Sequence, residues 1–167
     1  MDPARITPFI KSVQNVFATM LQLPVEVEDP QIKQGKSATY DVTAIIGMSG
    51  DCVGSVVLSF EQESALRIVA LFTGTEASVD SPDFADAVGE LVNMISGGAK
   101  ALFEGRKASI STPSVVLGSN HVVSTQTDVP TIVLPCVTDC GRFAIEIAIQ
   151  DQVESADADS QSAATTA

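Results

Sequence analysis

Ser81–Gly105, SPDFADAVGELVNMISGGAKALFEG, is the stretch on which the reading of this chain turns. At about 100° per residue, Phe84, Val88, Leu91, Val92, Ile95, Ala99 and Leu102 fall on one side of a helix, an apolar stripe suited to pressing on a sheet. The opposite side carries Asp86, Glu90, Asn93, Gly97, Lys100 and Glu104 in nearly straight file, because steps of three and four residues stack side chains above one another. Ser81 is placed to cap the helix and Asp83 suits the positive end of its dipole. Gly97 and Gly98 each cost about 1 kcal/mol relative to alanine inside a helix, which a merely soluble face does not require. Gly97 lies on the polar file and leaves a shallow notch one turn from Asn93. Asp86 and Glu90 repel each other at four residues' spacing unless a basic group answers them. The file therefore reads as a surface shaped to receive a partner.

Working outward, Thr7 and Pro8 predict a helix start, with Phe9, Val13, Val16, Phe17 and Met20 as its buried stripe to about residue 21. Val25–Glu28 alternates as a strand. Tyr40, Val42, Ala44, Ile46 and Met48 alternate on one face, Ser49–Asp51 turns the chain, and residues 53–60 return as the hairpin partner. A second helix spans Glu61–Phe72 and stops at Gly74, and residues 76–82 link it to the long helix. Strands follow over about 108–117, 121–124, 131–137 and 142–150, and Pro113 requires the first of them to be irregular there or to run along an edge. Phe143, Ile145, Ile147 and Ile149 give the cleanest alternation. These elements predict an α+β, two-layer fold: three helices packed on a mainly antiparallel sheet.

The chain has 167 residues and is 45% hydrophobic, which suits a single domain over residues 1–151. Residues 152–167 contain no basic or aromatic side chain and are expected to form an acidic, disordered tail. A formal charge of −12 with nine Lys and Arg argues against nucleic acid and anionic membrane as partners, and permits a basic protein. No apolar run approaches the roughly 18 residues of a membrane span, and the start lacks the pattern of a signal peptide, so a cytoplasmic setting is expected. Cys136 and Cys140 have no second cysteine pair and only His121 as a further ligand, so no metal site is expected. Cys136 reads as a core residue, and His121 has no identifiable partner for base chemistry.

The run DAVGELVNMISGGAK, with Asp86, Glu90 and Asn93 at its head, resembles the catalytic helix of the CheC/CheX/FliY family of phosphatases, which act on the phosphorylated chemotaxis response regulator CheY. The likeness is greatest to CheX members. It extends over roughly residues 5–150, through ITPFIKSVQNVFATML, the LFTG after the second helix, and ISTPSVVLG. CheC-type members repeat the E-x-x-N motif in the first helix. Here Asn15 is preceded by Ser12 three residues earlier, so the resemblance points to one site.

The resemblance implies a phosphatase acting on a phosphorylated CheY-like receiver domain. Asn93 would orient the attacking water, Glu90 would pair with a receiver lysine, and Asp86 and Gly97 would border the contact. It implies no cofactor of the protein's own, since the receiver brings Mg²⁺. It also implies a homodimer joined through sheet edges, with which TIVLPCV agrees as a strand apolar on both faces. A second reading keeps the binding and drops the chemistry, leaving a dimeric module that captures a receiver. A third takes the file as a solvated helix face and nothing more.

Overall fold

Two nine-residue strands, β3 (Val42–Gly50) and β4 (Cys52–Phe60), form a long hairpin, paired antiparallel from Val42↔Phe60 to Met48↔Gly54 around a turn at Asp51. In the computed structural model, which describes residues 2–124 and 128–152, they belong to a sheet of eight strands. The others are β1 (Glu26–Val27), β2 (Gln31–Ile32), β5 (Ala108–Ile110), β6 (Ser114–Leu117), β7 (Ile132–Thr138) and β8 (Gly141–Asp151). The order is β1-β7-β8-β4-β3-β5, with β2 also on β7 and β6 also on β3, and every pairing is antiparallel. Three helices, α1 (Pro3–Val16), α2 (Gln62–Thr73) and α3 (Pro82–Ala101), supply the second layer, so the α+β class holds. Apart from Gln152, the tail expected over residues 152–167 lies outside the described residues.

The first helix starts earlier than Thr7 and Pro8 suggest. Asp2 caps it, accepting from the Ala4 N–H at 3.0 Å, and Pro3 takes the first position, where its missing N–H is harmless. Pro8 then lies inside the helix and removes the donor that would reach the Ala4 carbonyl. Residues Phe17–Leu21 continue as a wider π-helical turn. That extra residue per turn rotates the buried stripe, so Leu21 is 6% exposed and Met20, expected in the core, is 49% exposed.

The third helix ends at Ala101 instead of reaching Gly105, so Leu102 leaves the stripe and is exposed, and Glu104 leaves the polar file. Tertiary pairing overrides the periodicity here. The Asp51 N–H donates to the Lys107 carbonyl and the Asp51 carboxylate accepts from the Lys107 N–H, each near 2.7–2.8 Å, which draws the chain into β5 beside Gly50. The strand expected over residues 108–117 divides at Pro113 into β5 and β6. The strand expected over residues 121–124 reduces to a single bridge, Ser37↔Val122.

TIVLPCV is not an open edge. It forms β7, paired with β8 along one edge and with β1 and β2 along the other; Leu134 and Cys136 are buried on one face, while Val133, Pro135 and Val137 on the other are half-buried. In β8, Phe143, Ile145, Ile147 and Ile149 join the core. Ala144, Glu146 and Ala148 are buried as well, because the segment after β2 crosses that outer face: Lys33 and Thr39 both reach Glu146, and the Tyr40 N–H donates to Ser59 Oγ at 2.8 Å.

At the end of β8, Asp151 ties the layers together, accepting from Arg5 of α1 at 3.0 Å and from Arg106 beyond α3 at 2.7 Å. The hydrogen bond from Arg106, with help from Arg5, holds its carboxyl below the ordinary aspartate range. A depressed folded-state pKa stabilises the fold above the unfolded value near ~4 and ceases to do so as pH falls through the folded value. Asp151→Asn is therefore expected to lower thermal stability at neutral pH by up to about 1 kcal/mol, since the group is half exposed and screened. The gap between parent and variant should narrow progressively in melts as pH falls below ~4; a gap independent of pH contradicts this role.

Candidate functional site

The chemistry-bearing line is built by α3. Ser81 caps it by accepting from the Asp83 N–H at 3.2 Å, Pro82 opens it, and Phe84, Val88, Leu91, Val92, Ile95 and Ala99 are at most 1% exposed against the sheet and the other helices. With that side fixed, Asp86 and Glu90 face solvent, and Asn93, Gly97 and Lys100 are partly exposed behind them. At 1.5 Å rise per residue, Glu90 lies about 6 Å along the axis from Asp86, and Asn93 about 4.5 Å further. Among the described residues, none of these polar side chains is engaged in an ion pair. The structure thus brings Asp86, Glu90, Asn93 and Gly97 into one file and leaves Glu104 out of it.

Two different walls flank the file. On one side, a depression of about 490 Å³ lies between α3 and the connection from α2, lined by Thr75, Glu76, Ser78, Asp83, Asp86 and Glu90 among others. The sequence reading took residues 76–82 only as a link and missed Thr75, Glu76 and Ser78 as neighbours of the file. Their signal is the density of hydroxyls and carboxylates in TGTEASVDSPD. On the other side, Pro113 closes against the helix: a side chain on buried Gly89 would meet the Pro113 ring at 3.3 Å. The loop is pinned there by Ser111 Oγ, which accepts from the Gly47 N–H and donates to the Thr112 carbonyl, both at 2.9 Å.

The two mid-helix glycines separate in role. A Cβ on Gly97 would meet nothing within 4 Å, so the notch on the file is real. A Cβ on Gly98 would fall 2.4 Å from Ser12 Oγ of α1, so this glycine serves helix packing and not the site. Ser12 is itself buried and donates to the Ile95 carbonyl at 2.7 Å. The position that a second E-x-x-N motif would need in α1 is thereby committed to the α1–α3 contact, while Asn15 is exposed.

The remaining reactive groups are structural. Cys136 is buried beneath β7, where burial pushes its thiol up to about 12, and Cys140 sits in the β7–β8 turn. His121 is tied to β3 and its own loop. Nδ1 donates to the Gly118 carbonyl at 2.9 Å, which can only accept, and Nε2 is hydrogen-bonded to the Thr43 hydroxyl at 2.8 Å. Among the described residues, no group of three His, Cys, Asp or Glu is gathered as for a metal ion. No described helix is long and apolar enough to cross a membrane.

The glycine roles predict opposite effects. Gly97→Ala should raise stability by up to about 1 kcal/mol through helix propensity. Gly98→Ala should cost about 1–3 kcal/mol by overpacking, partly recovered in Ser12→Gly/Gly98→Ala. Urea melts of the three variants measure this, and equal effects of the two alanines contradict it.

A family model described as chemotaxis phosphatase CheX matches residues 42–137. The CheY-P phosphatase CheX of Thermotoga maritima is 29% identical over 121 residues, covering 71% of this chain and 78% of that protein. The crystal structure of a CheX from Desulfovibrio desulfuricans superposes with a TM-score of 0.80 at 33% identity, over 89% of this chain and 99% of that one. A CheX–CheY–BeF₃–Mg²⁺ complex from Borrelia burgdorferi shares the fold, with a TM-score of 0.75 at 23% identity over 88% of this chain and 98% of that one.

Proposed function

This chain belongs to the CheX family of chemotaxis phosphatases, and on that premise we propose that it hydrolyses the aspartyl phosphate of a phosphorylated CheY-like response regulator. The observation that supports this reading is the pair Glu90 and Asn93, one turn apart on the solvent side of α3, with no ion pair holding Glu90 to its own chain among the described residues.

In that reading α3 lies across the receiver's phosphorylation site. Water attacks the phosphorus in line, the bond from phosphorus to the aspartyl oxygen breaks, the water's proton passes to a phosphate oxygen, and inorganic phosphate leaves the carboxylate free. The Asn93 carboxamide is too weak a base to take the proton, so it contributes orientation: its oxygen accepts from the water and holds it on the line of attack. Glu90 pairs with a lysine of the receiver, fixing the register of the two proteins. Asp86 borders the contact beside the depression, and the notch at Gly97 admits the receiver's backbone. Mg²⁺ belongs to the receiver, and no cofactor is required of this chain. A cytoplasmic homodimer is part of the same proposal, resting on the family likeness alone.

The buried side of α3 is what makes such positioning effective, since a water-orienting group must be held to a fraction of an ångström. The test is phosphate release from a CheY-like receiver charged with a small phosphodonor. Addition of this protein should accelerate release above the receiver's own rate. Glu90→Ala should weaken both receiver binding and rate, and Glu90→Lys should be worse than alanine, because it sets like charges opposite one another. Circular dichroism should be unchanged in both, as Glu90 is exposed. Release at the receiver's own rate, or a Glu90→Lys protein as active as the parent, overturns the proposal.

A further inference from the structure

On the face of the sheet turned away from the core, β4 and β8 present Ser55 opposite Ala148 and Val57 opposite Glu146, with β7 continuing the surface at Val133. The segment after β2 crosses this face and is fastened by backbone bonds from Ala38 to His121 and from Val123 to Lys36, at 3.0 and 3.1 Å. Between strap and sheet lies a cavity of about 300 Å³, lined by Lys33, Lys36, Ser55, Asp128, Thr131 and Glu146 among others. That volume is at the lower end of the roughly 300–1,000 Å³ usual for small-molecule sites.

Its floor is charged and buried. The Glu146 side chain is 2% exposed and the Lys33 side chain 10%, and the two are paired. The other Glu146 oxygen accepts from the Thr39 hydroxyl. Ser55 Oγ is buried there with no hydrogen-bond partner among the described residues. At the rim, Lys36 and Asp128 are exposed, one of each sign. A buried ion pair is a poor device for stability alone, since apolar replacement is often neutral or stabilising, and an unpartnered buried hydroxyl is destabilising. A strap that needed only to be fastened would do so with apolar side chains. Polar groups around an open volume instead provide for a polar occupant.

The signs of the charges specify its class. A lone anion would be drawn by Lys33 and Lys36 and repelled by Glu146 and Asp128, and a lone cation would meet the reverse. A small molecule carrying both signs a few ångströms apart satisfies all four. We propose that this cavity binds a small zwitterion, an amino acid in its ammonium–carboxylate form. Lys33 keeps N–H donors beyond the one given to Glu146 and with Lys36 holds the carboxylate. Glu146 and Asp128 receive the ammonium group, and the Ser55 and Thr131 hydroxyls complete the shell. The site lies on the opposite face of the sheet from α3, and the inference does not rest on the phosphatase reading.

The test is thermal unfolding and calorimetric titration of the full chain with each standard L-amino acid, and with acetate and methylammonium as single-charge controls. At least one amino acid should bind saturably in the calorimeter and raise the melting temperature by several degrees at about 100-fold excess over its Kd, while the two controls do neither. Lys36→Ala and Thr131→Val, both near the rim, should weaken that binding about 10-fold or more and leave the unliganded melt nearly unchanged. Absence of any saturable amino-acid binding, equal binding of acetate or methylammonium, or undiminished binding by both variants overturns the proposal.

Discussion

Burial of the apolar stripe of α3 is the constraint on which the rest of the structure depends. Each of its larger side chains stabilises the fold by about 1.5–3 kcal/mol when removed from water. Turning the helix by even one residue's angle would exchange part of that stripe for carboxylates. The helix is therefore fixed in rotation as well as position, and the row from Asp86 to Gly97 can point only outward. Close approach at Gly98 and Ser12 seats α1 alongside, and contact of Pro113 with Gly89 closes the other flank, so neighbours on both sides hold the same orientation.

Electrostatics then gives that orientation a direction of use. The chain carries a formal charge of −12, and Glu76, Asp83, Asp86 and Glu90 gather around one depression beside the file. Such a surface favours a basic partner over roughly a Debye length, about 8 Å at physiological salt, and in the proposed function discrimination would fall to close contacts at Glu90 and Asn93. Buried charge is placed elsewhere: Glu146 is paired with Lys33 on the opposite face of the sheet, so the two polar regions of the molecule are separated by the core.

What was legible in the sequence was local. The stripe and cap of α3, the stop of α2 at Gly74, the β3–β4 hairpin and the break at Pro113 each depend on residues within one or two turns or a single strand pair. The membership of Asp86, Glu90, Asn93 and Gly97 in one file followed from helical period alone. What failed was either ambiguous or distant. The helix start was read at Thr7-Pro8, whereas Asp2 caps the helix and Pro3 opens it. The phase change at Phe17–Leu21 has no marker in the residues, and Leu102 left the stripe because Asp51 captures Lys107, 56 positions away. The second edge of β7 is paired by two-residue strands too short for periodicity, and the cavity beneath Lys33 depends on a partner 113 positions along the chain. Gly98 was grouped with Gly97 although its reason is a serine on another helix.

The central claim is that Asn93 acts by placing a water and not by holding the receiver. Single-turnover decay of a phosphorylated CheY-like receiver, with Asn93→Ala present at saturating concentration, tests it most directly. The variant is expected still to bind the receiver while the acceleration falls on the order of 10²-fold or more. Decay as fast as with the parent protein would contradict it and leave the file as a docking surface.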